Sequence, residues 1–260
     1  MAVPSVMILP LLIVVFAGVY YVYNEVMRFM SKSMVQNKVV VITDAVSGMG
    51  SECARLFHEG GARLVLCGPS WDKLESLHDS LCNGSDPSAT FTPKIVLLDF
   101  SDMENISEMI TEIEESYGCV DVLICNSSMK VKAPVQNLSL DMDKTIMDVN
   151  YFGPITLAKG VLPLMITRRA GQFVLVNSIQ GKLSLPFRTS YIYCKLTTHG
   201  VSSNALAQEI LRTVNWHRRE VLLSHPIPWM ALYIRSLVPS FFFAVVAAGV
   251  KDGVMAEQLQ

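Results

Sequence analysis

The amino-acid pattern predicts an α/β fold, a doubly wound parallel sheet carried behind an N-terminal membrane helix. Three observations lead there. Short apolar β-branched runs alternate with helical patterns through the middle of the chain. A glycine-bearing turn joins the first such run to the first of those helices. Four polar residues, Thr43, Asp99, Asn126 and Ser178, fall at the carboxyl ends of separate runs, where ligands bind in sheets of this kind.

Composition narrows the function classes. Of 260 residues, 51% are apolar and only 17% charged, and the formal net charge is −2. No basic stripe stands out, so nucleic-acid binding has no electrostatic support. The six cysteines form neither a Cys-x-x-Cys pair nor a metal-ligand spacing. They fit a reducing compartment better than a disulfide framework.

Residues 6–23 are an uncharged apolar run, just long enough to span a bilayer as a helix. Tyr20, Tyr21 and Tyr23 end it, as amphipathic aromatics do at an interface. Arg28, Lys32 and Lys38 follow it and no Lys or Arg precedes it, which places the main domain on the cytosolic side. A cleaved signal peptide is the alternative, but the basic start is missing. Segment 1–30 is therefore expected to be an anchor.

The next run, Lys38 to Thr43, reads as a buried parallel strand. The turn Thr43-Asp44-Ala45-Val46-Ser47-Gly48-Met49-Gly50 and a helix to Gly60-Gly61 follow. Strand, glycine turn and helix make a Rossmann-like cradle, with backbone N–H groups at the helix start receiving a pyrophosphate. Later strands are expected at Arg63 to Cys67, Lys94 to Leu98, Val120 to Cys125 and Gln172 to Asn177. Helices are expected near Trp71 to Leu81, Met103 to Tyr117, Asp141 to Ile166, and from Tyr191 to about Glu209.

Chemistry concentrates in Tyr191-Ile192-Tyr193-Cys194-Lys195, downstream of Ser178. On a helix, residues four apart share a face. Lys195 can then hold its charge beside the Tyr191 hydroxyl and favour the phenolate of a group that normally ionises near pH 10. Tyr191 becomes a base, Ser178 a hydroxyl that positions a substrate oxygen. Tyr193, two residues before Lys195, faces nearly the other way.

Gly48, Gly50, Asp99, Asn126, Asn150, Ser178, Tyr191 and Lys195, in this spacing, resemble the short-chain dehydrogenase/reductase family over about Val35 to Val201. That resemblance implies hydride transfer between a nicotinamide and a lipophilic alcohol or ketone, retinol to retinal first and steroids second. Thr43, Ser47, Gly48 and Gly50 are the implied pyrophosphate turn. Asp99 is the implied adenine contact, and Asn126 belongs to an N-N-A-G-like turn. Asn150, Ser178, Tyr191 and Lys195 are the implied catalytic set. Tyr191 and Lys195 also border the cofactor, and Lys195 is implied to bind its ribose. The endoplasmic or sarcoplasmic reticulum membrane is the implied location. Pairing of two copies through residues 141–166 and 190–209 is the implied assembly, with membrane lipid as the other partner and no metal.

Departures from the family pattern are specific. Asp44 stands where T-G-x-x-x-G-x-G has glycine, putting a carboxylate near an anionic ligand. Cys67-Gly68-Pro69-Ser70 and Ser47 offer no guanidinium to a 2′-phosphate, so NAD is expected, with NADP second. After about residue 209 the chain passes into a sequence like the family's last helix and last strand, the strand near Glu220 to Ser224. The sixth strand and the substrate loop are absent, roughly two strand–helix units of the ~30-residue kind. The expected domain is 36–225, shortened in this way, and 226–260 is a hydrophobic tail. Within that tail Leu237 to Val250 reads as an interfacial helix. A catalytically silent binding or scaffold protein on the same fold is the competing expectation.

Overall fold

The computed structural model describes residues 14–23, 25–26, 34–86, 89–129, 131, 138–177, 202–218, 220–221 and 226–245. Helix α1, Val14–Tyr23, is apolar and exposed along its length. Residues 6–13 of the apolar run lie outside the described residues.

Five parallel strands form one sheet in the order β3-β2-β1-β4-β5. They are β1 Val39–Ile42, β2 Arg63–Gly68, β3 Lys94–Leu97, β4 Val122–Cys125 and β5 Gln172–Leu175. β1 is central and buried at every position, as a β-branched run between two helix layers must be. Its registers, Val41 opposite Val65 and Leu123, align the carboxyl ends of β1, β2 and β4.

Alternation along the strands feeds two cores. Val40, Ile42, Leu64, Leu66 and Ile124 face helices α2 (Gly48–Glu59), α3 (Trp71–Asn83) and α7 (Ser203–Trp216). Val41, Val65, Cys67 and Leu123 face α4 (Ile106–Tyr117) and α6 (Gly153–Arg168). α5 (Leu140–Met147) leads into α6 through one π-helical turn, Asp148–Phe152. Together α5 to α6, Leu140–Arg168, make the one helix among the described residues that is long and apolar enough to cross a membrane. Its Ile146, Leu157, Val161 and Met165 are buried and the last three pack into the core, so we read it as a core helix.

One expectation is corrected here. A continuous helix from Tyr191 to Glu209 is not what forms. Ser202 is extended (φ −70°, ψ 146°), and its side chain accepts the Ala205 N–H as the N-cap of a helix that starts at Ser203. α7 then packs on α2, across the sheet from α6, with the Asn204 amide donating to Glu52 at 2.9 Å. That hydrogen bond and Arg55 hold the Glu52 carboxyl below its ordinary pKa. Glu209 therefore belongs to the helix read as the family's last one. Of the strand expected over about Glu220 to Ser224, Glu220 and Val221 are described and lie outside any strand, and 222–224 fall outside the described residues. Among the described residues the sheet ends at β5, whose free edge has no neighbour for it.

In the tail the helix starts earlier than expected. α8 spans Pro226–Leu237, Val238 interrupts, and helix resumes over 239–245. Tyr233, Phe241, Phe243 and Val245 are exposed.

Burial keeps the core thiols protonated, with Cys53 pushed up to about 12 and Cys67 higher still. Such thiols are inert. A buried histidine gives a pH test. His58 Nε2 lies 3.0 Å from the Phe91 carbonyl, which only accepts, so Nε2 carries the proton. Nδ1 then accepts from the Ser85 hydroxyl at 3.0 Å. Burial lowers the His58 pKa in the fold. The unfolded chain therefore takes up a proton that the folded one resists, and stability is lost as pH falls below the unfolded value. Melting temperature should drop between about pH 7.5 and 5.5, and His58→Gln should flatten that slope. An unchanged slope in the variant would remove His58 as its source.

Candidate active site

The glycine turn is built from side chains that arrive from far apart in sequence. Thr43, fully buried at the end of β1, accepts two backbone N–H groups on its hydroxyl. They come from Asn126 at 2.8 Å and Ser127 at 3.1 Å, at the end of β4. The Asn126 amide donates back to the Asp44 carbonyl at 3.2 Å and to the Ser47 hydroxyl at 2.8 Å. Ser47 donates to the Asp44 carbonyl at 2.8 Å and accepts the Gly50 N–H at 3.1 Å as N-cap of α2. One hydroxyl is thus used to full capacity. A further bond, Ala45 N–H to the Cys67 carbonyl at 2.9 Å, ties the turn to β2.

Asp44 adopts φ +48°, the left-handed region where glycine is at home. Asp tolerates that region better than most residues, so the turn keeps its shape without the glycine. Gly50 has no such latitude. A Cβ there would collide with the Asp44 carbonyl and the Ala45 backbone. We expect Gly50→Ala to destabilise the protein by about 1–3 kcal/mol and to weaken nucleotide binding, read by denaturant titration and NADH fluorescence. Wild-type values for both would show that the turn can open.

These residues suit a dinucleotide pyrophosphate. α2 points its N-terminus at the turn with no acidic residue in its first turn. By helix geometry the Gly48 and Met49 N–H groups have no intrahelical acceptor. A phosphate is the anion such a start receives. The Asp44 carboxylate, on the same turn, opposes it electrostatically.

The remaining sequence-derived residues divide. Asp99, after β3, uses Oδ1 to accept the Ser101 N–H (2.9 Å) and hydroxyl (2.7 Å), so it caps its own turn. Asn150 sits in the π-helical turn and is paired twice with Met129. Its Oδ1 accepts the Met129 N–H at 2.9 Å and its amide donates to the Met129 carbonyl at 3.0 Å. π turns are frequent at functional sites. This one presents Asn150 to the loop after β4, beside the Asn126 cluster in sequence. β5 pairing continues to Val176, whose N–H donates to the Cys125 carbonyl at 3.1 Å, and Asn177 is the last described residue before Ser178. Ser178, Tyr191 and Lys195 lie outside the described residues. The structure thus brings Thr43, Ser47, Gly48, Gly50 and Asn126 together at one place.

Sequence reasoning missed Met129 and the capping role of Ser47. Ser-x-x-Gly at a helix start was a legible N-cap signal for Ser47. A backbone partner such as Met129 leaves no residue-type signal.

The family model described as short chain dehydrogenase matches residues 38–216. Dehydrogenase/reductase SDR family member 7C-A of Danio rerio is 67% identical over 324 aligned positions, covering 100% of each chain. Dehydrogenase/reductase SDR family member 7C of Homo sapiens is 46% identical over 304 positions, covering 97% of each. Both alignments are longer than the 260 residues here, so these relatives carry sequence within the aligned span that this chain lacks. Among solved structures, a metagenomic short-chain oxidoreductase in complex with NADP superposes with a TM-score of 0.57 at 23% identity, covering 70% of this chain and 80% of that one. With the assembled turn, the β3-β2-β1-β4-β5 sheet and these likenesses in hand, the chain belongs to the short-chain dehydrogenase/reductase family of NAD(P)-dependent oxidoreductases.

Proposed function

We propose that this protein is a membrane-associated oxidoreductase acting on a lipophilic alcohol or ketone, retinol to retinal first, with NAD preferred. The observation that carries the reading is the pyrophosphate turn, closed by Thr43, Ser47 and Asn126 through their own hydrogen bonds. NAD preference rests on the Cys67-Gly68-Pro69-Ser70 stretch, which has no guanidinium for a 2′-phosphate. Membrane association rests on the apolar run 6–23 and the exposed aromatics of 239–245, and the reticulum membrane is the location proposed, with the catalytic domain cytosolic.

In the oxidative direction the bound nicotinamide supplies the hydride acceptor. Thr43, Ser47, Gly48, Gly50 and Asn126 hold and orient the dinucleotide. Ser178 donates a hydrogen bond to the substrate oxygen. Tyr191, as phenolate, takes the proton of the alcohol oxygen. Lys195 stabilises that phenolate and binds the nicotinamide ribose. Asn150, fixed to the Met129 backbone, is proposed to order a water beside Lys195. Asp99 is proposed to reach the adenine with the oxygen its own turn leaves over. Two copies are proposed to pair through 141–166 and 190–209.

A second reading, a binding or scaffold protein, is favoured by Asp44 and by the sequence absent relative to its relatives. NADH titration followed by fluorescence separates the two. Saturable binding supports the enzyme; no binding by the folded chain supports the scaffold. Asp44→Gly should tighten NADH binding by about three- to tenfold by removing a like charge. Equal affinity in the variant would show that the carboxylate points away from the phosphates.

A further inference from the structure

At the end of the sheet opposite the glycine turn lies a cavity of about 710 Å³. It is lined by residues that precede or open β1, β4 and β5, among them Lys38, Asp121 and Gln172. A four-residue strand spans about 13 Å, so this cavity and the dinucleotide turn are separate places.

Its walls are two-sided in character. Leu162, Met165 and Ile166 of α6 and Phe173 of β5 make an apolar wall. Met165 is buried, whereas Ile166 is 64% and Phe173 36% exposed. Two cations, Lys38 and Arg169, line the same cavity, and neither side chain has an ion pair or hydrogen bond among the described residues. The one lining carboxylate, Asp121, is already engaged. It binds Arg168 at 2.9 Å and accepts the Val39 N–H at 2.8 Å. The free charge of the cavity is therefore positive.

We propose that this cavity binds an anionic amphiphile. The phosphate or carboxylate head sits between Lys38 and Arg169, and the alkyl chain lies on Leu162, Ile166 and Phe173. Unpaired cations beside an exposed apolar wall match both halves of such a molecule. It is also the end of the sheet at which the chain arrives from α1. A bilayer lipid as the source rests on the membrane reading; the site itself does not.

The test uses the full chain in a nonionic detergent, titrated with octyl phosphate. Trp216 adjoins His217, which lines the cavity, and is half exposed, so its emission reports occupancy. Octyl phosphate should give a saturable shift. Lys38→Gln/Arg169→Gln should weaken it by about tenfold or more, and Ile166→Ser, a surface change, should weaken it several-fold. Lys73→Gln/Lys159→Gln removes the same charge elsewhere and should leave it unchanged. Inorganic phosphate binding as tightly as octyl phosphate would reduce the site to a free-anion site and overturn the amphiphile. Octyl glucoside binding as tightly would remove the role of the cations. Equal affinity in Lys38→Gln/Arg169→Gln would sink the proposal. Adding vesicles that contain phosphatidic acid tests the source alone. Competition with octyl phosphate supports a bilayer lipid, and its absence overturns that source while the soluble titration still decides the site.

Discussion

Thr43→Val is expected to cost the protein about 2–4 kcal/mol of stability, because two buried N–H groups lose the hydroxyl they donate to. Valine has nearly the same shape, so no cavity opens and no strain enters. What disappears is the hydroxyl that accepts from Asn126 and Ser127. Thr43 is fully buried and Asn126 nearly so, which leaves water little access to replace it. Thermal melting should shift down by roughly 5–15 °C for a domain of this size. Thr43→Ser keeps the oxygen and should recover most of the loss. Nucleotide affinity should fall with Thr43→Val as well, since Asn126 also positions Asp44 and Ser47. A Thr43→Val protein that melts like wild type would show that β1 and β4 hold their ends without this bond.

Tyr191→Phe is expected to lower turnover of retinol with NAD by about a hundredfold or more, the range for losing a general base. NADH affinity should stay close to that of wild type, because the phenol is proposed to act on the substrate's proton and the pyrophosphate turn is built from other residues. Tyr193→Phe is the internal control and should retain activity. Turnover surviving Tyr191→Phe would assign the base elsewhere. Loss of turnover together with loss of NADH binding would mean that the substitution disturbs the fold rather than the chemistry.

Much of the fold was readable because strands of a parallel sheet are buried on both faces. β1 therefore shows as an uninterrupted β-branched run, and the glycine turn after it as a break in that run. Asn126 and Thr43 could be placed at strand ends from the same pattern. Their contact could not, since it joins residues 83 apart through a register that only sheet assembly sets. Asp44 shows the same division. Its charge is plain in the chain, but its left-handed backbone, which preserves the turn, is a property of the closed loop.

The misassigned helix carries the sharper lesson. Residues 203–216 have an amphipathic pattern that fits a helix in either of two positions: continuing from Tyr191, or separate. Periodicity reports which face is apolar and says nothing of what covers it. Only packing decided the matter. Leu206, Ile210 and Val214 found the core beneath α2, and Ser202 closed the helix behind them. Local composition thus dictated strands, turn and helix types, since each follows from the burial of its own residues. Which layer a helix joins, and which distant hydroxyl satisfies a buried N–H, emerged from the assembled sheet, because those depend on neighbours that the chain brings close only by folding.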